Sequence, residues 1–182
     1  DQAHGELFAY LRPSGLQARP PLSPFHIPNQ LAQGGVAVGG PLLRARTHYF
    51  ANYERLQQDR GSLISSPAPR FFVGNYRDNL ALLRLDHRFA EEHSLSLRVN
   101  GQRESNNNTN DRVGGLLQPS AAIASKGQSL ATQLTDTLLL GSNKVNEVRL
   151  GYVNAVPSNS SPVSPQPVIV RPGVSTEGNA TY

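Results

Sequence analysis

The feature that most constrains this chain is an alternation of apolar and polar residues with a period of two. In residues 93–102, Leu95, Leu97 and Val99 fall on one side, and serine, arginine and asparagine fall on the other. Successive side chains of a strand point to opposite faces, so this pattern indicates a strand with one apolar and one polar face. The same pattern predicts seven strands: 6–12, 34–40, 47–56, 79–89, 93–102, 130–140 and 145–156. Several of these segments are ten to twelve residues long.

The connections between these segments alternate in length. Short ones are predicted at 41–46, 90–93 and 141–144, and long ones, rich in Pro, Ser, Asn and Gly, at 13–32, 57–78, 104–128 and from 157 onward. Up-and-down strands with short turns at one end and long loops at the other are typical of outer-membrane barrels. We therefore predict an all-β fold of antiparallel up-and-down strands, forming about seven strands of a large transmembrane β-barrel. The long connections are expected on the extracellular side.

A soluble β-sandwich also alternates in polarity, so it stays open as an alternative. Strands of ten to twelve residues exceed the sandwich average of about five or six and suit a tilted membrane crossing. The regular change between long and short connections also disfavours Greek-key connections. The alternative function is that of an extracellular all-β adhesion or carbohydrate-binding module.

The residue types give no support for catalysis, a cofactor or nucleic-acid binding. Cysteine is absent, which excludes cysteine-ligated metal sites and disulfides. The five histidines lack ligand spacing, and His87 cannot share a strand face with its neighbour Asp86. The basic residues, almost all arginine, are spread singly along the chain rather than clustered as in a nucleic-acid-binding protein. We expect no enzyme, no metal site and no cofactor.

The alternation sorts candidate functional residues into two groups. A lumen-facing group would contact a plug or a solute, or would only form a ladder of salt bridges: Arg84, Asp86, Arg88, Arg98, Glu147 and Arg149. A second group is predicted to face lipid: Leu83, Leu85, Leu95, Leu97, Val99, Val148, Leu150 and Tyr152. Five aromatic residues could form an interfacial girdle or pack in a core: Tyr10, Tyr49, Phe50, Tyr53 and Tyr152.

Four short stretches resemble TonB-dependent receptors of the Oar-like type. Residues 39–54 read Gly-Gly-Pro-Leu-Leu-Arg-Ala-Arg-Thr-His-Tyr-Phe-Ala-Asn-Tyr-Glu, and residues 4–12 read His-Gly-Glu-Leu-Phe-Ala-Tyr-Leu-Arg. Residues 85–89, followed by His-Ser-Leu, and residues 146–152 resemble later strands of that family. The glycines at positions 34, 35, 39 and 40 depart from the family pattern, where an aromatic residue is expected.

The resemblance implies that residues 1–182 are the N-terminal part of a receptor barrel of about 22 strands in the outer membrane of a Gram-negative bacterium. The plug and the segment that contacts the TonB complex would lie upstream of Asp1, and the remaining strands downstream. The implied partners are outer-membrane lipid, the TonB complex through that plug region, and an extracellular solute. The implied function is energised uptake of the solute.

Overall fold

A computed structural model describes residues 2–19, 21, 23–43 and 46–179, with the backbone alone for 157–159. Seven long strands form one sheet, and a short hairpin follows them. The strands are β1 His4–Arg12, β2 Asn29–Leu43, β3 Thr47–Ile64, β4 Arg70–Arg88, β5 His93–Asn106, β6 Ile123–Leu139, β7 Val145–Pro162, β8 Ile169–Arg171 and β9 Ser175–Glu177. Among the described residues, no helix is long and apolar enough to cross a membrane.

The seven strands lie in the sheet in chain order, and each is antiparallel to the next. This confirms the predicted up-and-down topology and the seven strands of this sheet, whereas the β8–β9 hairpin lies in the connection predicted from 157 onward and was not predicted. A sandwich would divide these strands between two packed sheets, and the structure instead has one continuous sheet. Within the described residues, β1 and β7 each pair along one edge only.

The predicted long connection at 57–78 is wrong. β3 and β4 continue through this region, pairing Gln57 with Arg77 and Ile64 with Arg70, and only residues 65–69 form the turn. Around the pairing of Asp59 with Asn75 the hairpin is mostly polar on both faces, and nearer the tip the apolar residues are consecutive in sequence: Leu63, Ile64, Phe71, Phe72 and Val73. Neither stretch alternates with a period of two, so the sequence resembles a loop. Residues 44 and 45 of the predicted turn at 41–46 lie outside the described residues.

The connection between β5 and β6 runs from 107 to 122 and folds onto the tip of the β3–β4 hairpin. Ile64, Val113 and Ala122 are fully buried there, with Phe72 packed against them. The Asn108 side chain is 1% exposed, and its Oδ1 accepts a hydrogen bond of 3.0 Å from the Val113 amide. Asn108 is therefore shielded from solvent, although it lies in the long polar connection predicted at 104–128. The β8–β9 hairpin lies against the same connection, since the Gln118 amide donates a hydrogen bond to the Thr176 carbonyl.

Two of the four unexpected glycines of β2 lie opposite phenylalanine rings. Phe8 pairs directly with Gly35, and Phe50 pairs directly with Gly39. A Cβ at Gly35 would lie 2.5 Å from the Phe8 ring and 2.9 Å from the Tyr53 carbonyl oxygen. Each ring covers the glycine across from it, an arrangement that shields an exposed strand backbone. The glycines thus leave room for aromatic residues supplied by the neighbouring strands.

Candidate functional site: the two faces of the sheet

The strand register separates the two groups of candidate residues. Directly paired residues of an antiparallel sheet share a face, and Leu85 pairs with Leu97, Leu97 with Leu134, and Leu134 with Leu150. Followed across all the pairs, the register gives one face, here called the apolar face, to Leu83, Leu85, Leu95, Leu97, Val99, Val148, Leu150 and Tyr152. It gives the opposite face, here called the polar face, to Arg84, Asp86, Arg88, Arg98, Glu147 and Arg149.

Three of the polar candidates line one cavity. Arg84, Asp86 and Arg88 of β4 contribute to a cavity of about 640 Å³ near the short turns. Hydroxyl groups of the next two strands complete it on the polar face, together with Arg46 and His48. Arg98 pairs with Arg84 at the border of this cavity. Glu147 and Arg149 lie one strand beyond the cavity, on β7. The cavity is therefore a polar, mostly cationic surface.

The two ion pairs among the polar candidates run along the strands rather than across them. Arg84 Nε lies 2.9 Å from Asp86 Oδ2, and Arg149 contacts Glu147 at 2.7 Å. Arg98 has no carboxylate partner among the described residues and donates instead to Asn100 Oδ1 at 3.2 Å. These exposed pairs contribute little to stability. The arginines therefore remain available for contacts with another segment or a solute.

The five aromatic candidates do not form one girdle. Tyr10 and Phe50 lie on the polar face, whereas Tyr49, Tyr53 and Tyr152 lie on the apolar face. The Tyr53 hydroxyl donates a hydrogen bond of 2.9 Å to Asn79 Oδ1, where the apolar face becomes polar. An aromatic body on an apolar surface with a satisfied hydroxyl is typical of an interfacial tyrosine.

Sequence reasoning missed two histidine contacts at the lower end of the apolar face, near the short turns. His93 Nε2 lies 2.7 Å from Asp136 Oδ2, and His87 Nδ1 lies 2.8 Å from Thr47 Oγ1. Each pair joins neighbouring strands about forty positions apart in sequence, so only the exact register reveals it. Within the described part of the chain, no three His, Asp or Glu residues are grouped so that they could hold a metal ion.

Polar residues limit the apolar band at both ends. On β5 the apolar face begins at His93, continues through Leu95, Leu97, Val99 and Gly101, and ends at Arg103. At about 3.4 Å per residue, the distance from His93 to Arg103 is ~34 Å along the strand. If the strands tilt by about 40° from the barrel axis, as in outer-membrane barrels, the height of the band along that axis is ~26 Å. This is close to the ~25 Å height of the apolar band in such barrels.

Beyond this band, the apolar face carries a half-buried carboxylate. Asp59 accepts hydrogen bonds of 2.7 Å from Gln30, 2.7 Å from Asn75 and 3.0 Å from Arg77. Burial alone would raise the pKa of Asp59, but these three donors and the positive charge of Arg77 outweigh it and hold the pKa below its ordinary value. Asp59 thus stays ionised and fixes the guanidinium of Arg77 on this face.

Comparison with known proteins gives one match. Residues 1–72 match the model of a family described as an outer membrane beta barrel domain. The match includes β1, β2, β3 and the first residues of β4. The chain forms part of the wall of an outer-membrane β-barrel. Its location is accordingly the outer membrane. No curated protein and no solved structure matches the chain.

Proposed function

We propose that this barrel wall belongs to a TonB-dependent receptor that takes up an extracellular solute, with a plug domain inside the barrel. The observation that carries the proposal is the polar face, where arginines surround a cavity of about 640 Å³. The resemblance of residues 39–54 and 4–12 to Oar-like receptors supports the same function. Transport of this kind makes and breaks no covalent bond, so the proposal includes no enzyme chemistry.

In this proposal the apolar face contacts lipid. Leu83, Leu150 and Tyr152 are 41%, 63% and 60% exposed, and no described segment covers them. A barrel closes its backbone hydrogen bonds from strand to strand, so outward leucine and valine side chains can contact hydrocarbon without exposing unpaired polar groups. The ~26 Å length of the band agrees with this orientation.

The polar face then lines the interior and contacts the plug. Phe8 and Phe50 also lie on this face and are 38% and 41% exposed, so it offers apolar rings beside its arginines. A water-filled channel needs no such rings, whereas a folded plug has apolar as well as acidic side chains to place against them. The mixture favours a plugged barrel over an open pore.

The plug can be tested by photocrosslinking in the intact protein. A photoreactive phenylalanine analogue at Ser96, which pairs with Asp86 on the polar face, is expected to crosslink to a segment upstream of Asp1. The same analogue at the neighbouring Leu97 serves as the matched control, because it faces the opposite way and should crosslink to lipid. Peptide mass spectrometry identifies the partners. A Ser96 variant that forms no crosslink within the protein would indicate an open pore and would refute the receptor assignment.

The sidedness of the connections can be tested by cysteine labelling on intact cells. Ala68 in the turn at 65–69 and Leu116 in the connection at 107–122 are exposed and lie at one end of the sheet. We expect cysteines at these positions to react with a membrane-impermeant thiol reagent, whereas a cysteine at Ser142 reacts only after the outer membrane is permeabilised. Equal labelling of Ser142 and Ala68 on intact cells would contradict the orientation.

A further inference from the structure

Four basic residues, here called the basic rim, border the apolar band at the end away from the short turns. They are Arg55, Arg77, Arg103 and Lys126, one on each of β3, β4, β5 and β6. Asn79 pairs with both Arg55 and Arg103, and Ser105 pairs with both Arg77 and Lys126. The basic rim therefore occupies two adjacent rows of the apolar face, across ~15 Å of sheet at about 4.8 Å per strand.

The basic rim has more positive charge than its surroundings neutralise. Asp59 holds Arg77 at 3.0 Å, and this is the sole ion pair between the rim and a described residue. All four basic side chains line one cavity of about 630 Å³. Glu104 also borders the cavity, but its carboxylate lies 3.5 Å from the Tyr76 hydroxyl on the polar face. Even with both acids counted, the cavity has a net positive charge.

A recess in the apolar band lies directly beneath this cavity. Ala81 pairs with Gly101, and Gly101 pairs with Leu130, so two small residues lie side by side on the apolar face. A Cβ at Gly101 would contact nothing within 4 Å. The resulting cavity of about 460 Å³ is lined by Tyr53 and Leu130 and shares Asn79, Arg103, Gln128 and Val156 with the basic cavity. The two cavities form one groove, apolar at one end and basic at the other.

We propose that this groove binds a phosphorylated glycolipid of the outer leaflet, with phosphate on the basic rim and an acyl chain in the recess at Gly101. This inference rests on the proposed orientation, in which the apolar face contacts lipid and the basic rim lies at the extracellular surface. Guanidinium groups bind phosphate through paired, charge-assisted hydrogen bonds. An anionic headgroup with attached hydrocarbon matches the groove in charge and in polarity along its length.

The test measures binding of fluorescent diphosphorylated lipid A to the intact protein in detergent micelles. The double variant Arg103→Gln/Lys126→Gln should weaken binding by about thirtyfold, since each basic residue at an anionic lipid surface contributes about fivefold. A matched control, Arg19→Gln/Lys144→Gln, removes two exposed charges outside the groove and should bind as the unaltered protein does. The dephosphorylated lipid should bind as weakly to the unaltered protein as the diphosphorylated lipid binds to the double variant.

Two further arms separate the lipid from a simple anion. Gly101→Leu fills the recess without changing charge. It should weaken lipid binding by at least about fourfold, because at least one methylene group of the acyl chain would no longer be buried in the recess. Inorganic phosphate at the lipid's concentration should not displace the lipid. Displacement by phosphate, or a double variant that binds as tightly as the control, would overturn the proposal. The barrel orientation would still stand if spin labels on the apolar face report lipid, so the two failures are distinguishable.

Discussion

Replacement of Leu97 by arginine is expected to destabilise the intact barrel by about 2–4 kcal/mol. Leu97 lies in the row of paired leucines formed with Leu85, Leu134 and Leu150, between His93 and Arg103 at the ends of the apolar band. In the proposed orientation this row is close to the bilayer midplane, where a charged side chain is most costly. Guanidinium unfolding of the protein in lipid vesicles measures the change.

The adjacent substitution Ser96→Arg provides the control. Ser96 pairs with Asp86 and Thr135 on the polar face, so the new charge would lie beside a carboxylate in a hydrated interior. We expect a change below about 1 kcal/mol, as for an exposed polar site. Equal losses for the two variants would mean that β5 does not separate lipid from a hydrated lumen.

Residues 1–182 expressed alone in water are expected to aggregate rather than to form a soluble monomer. Within the described residues, β1 and β7 each have one unpaired edge, and both expose apolar side chains: Leu7 is 83% exposed and Val153 is 70% exposed. Open edges with exposed leucine and valine favour pairing with other chains. Analytical ultracentrifugation without detergent, compared with refolding into detergent micelles, measures the outcome.

A soluble monomer that unfolds cooperatively would contradict this expectation. Such behaviour requires a core that covers the apolar face, as in the adhesion-module alternative. The buried cluster of Ile64, Val113 and Ala122 is too small for that purpose, because it covers the tip of one hairpin and leaves the apolar band open.

The sequence was sufficient to predict the strands wherever one face is apolar. Residues 93–102 and 145–156 lie within observed strands that begin at positions 93 and 145, because alternation is a direct record of which side chains share a face. The same alternation separates the polar candidates, such as Arg84 and Arg98, from the apolar candidates, such as Leu83 and Leu97. This separation needs no knowledge of the register.

The sequence was insufficient to predict strands that do not alternate in polarity. It was also insufficient where the pairing between strands determines which residues lie together. The extension of β3 and β4 beyond Gln57 has no alternation, because polar residues around Asp59 are followed by consecutive apolar residues such as Leu63 and Ile64. The separation of Tyr10 and Phe50 from Tyr53 depends on the pairing of three strands. The basic rim likewise gathers Arg55, Arg77, Arg103 and Lys126 from four strands, and residues so far apart in sequence gave no local signal.

The most direct test of the two-faced wall is a nitroxide scan of β5, with one spin label at each position from 94 to 102 in the intact protein reconstituted in lipid. Electron paramagnetic resonance then compares collisions with oxygen, which concentrates in lipid, and with a water-soluble nickel complex. The proposed orientation predicts a period of two, with oxygen collisions highest at Leu95, Leu97 and Val99 and nickel collisions highest at Ser94, Ser96 and Arg98. A flat profile, or a profile with the two reagents exchanged, would contradict it.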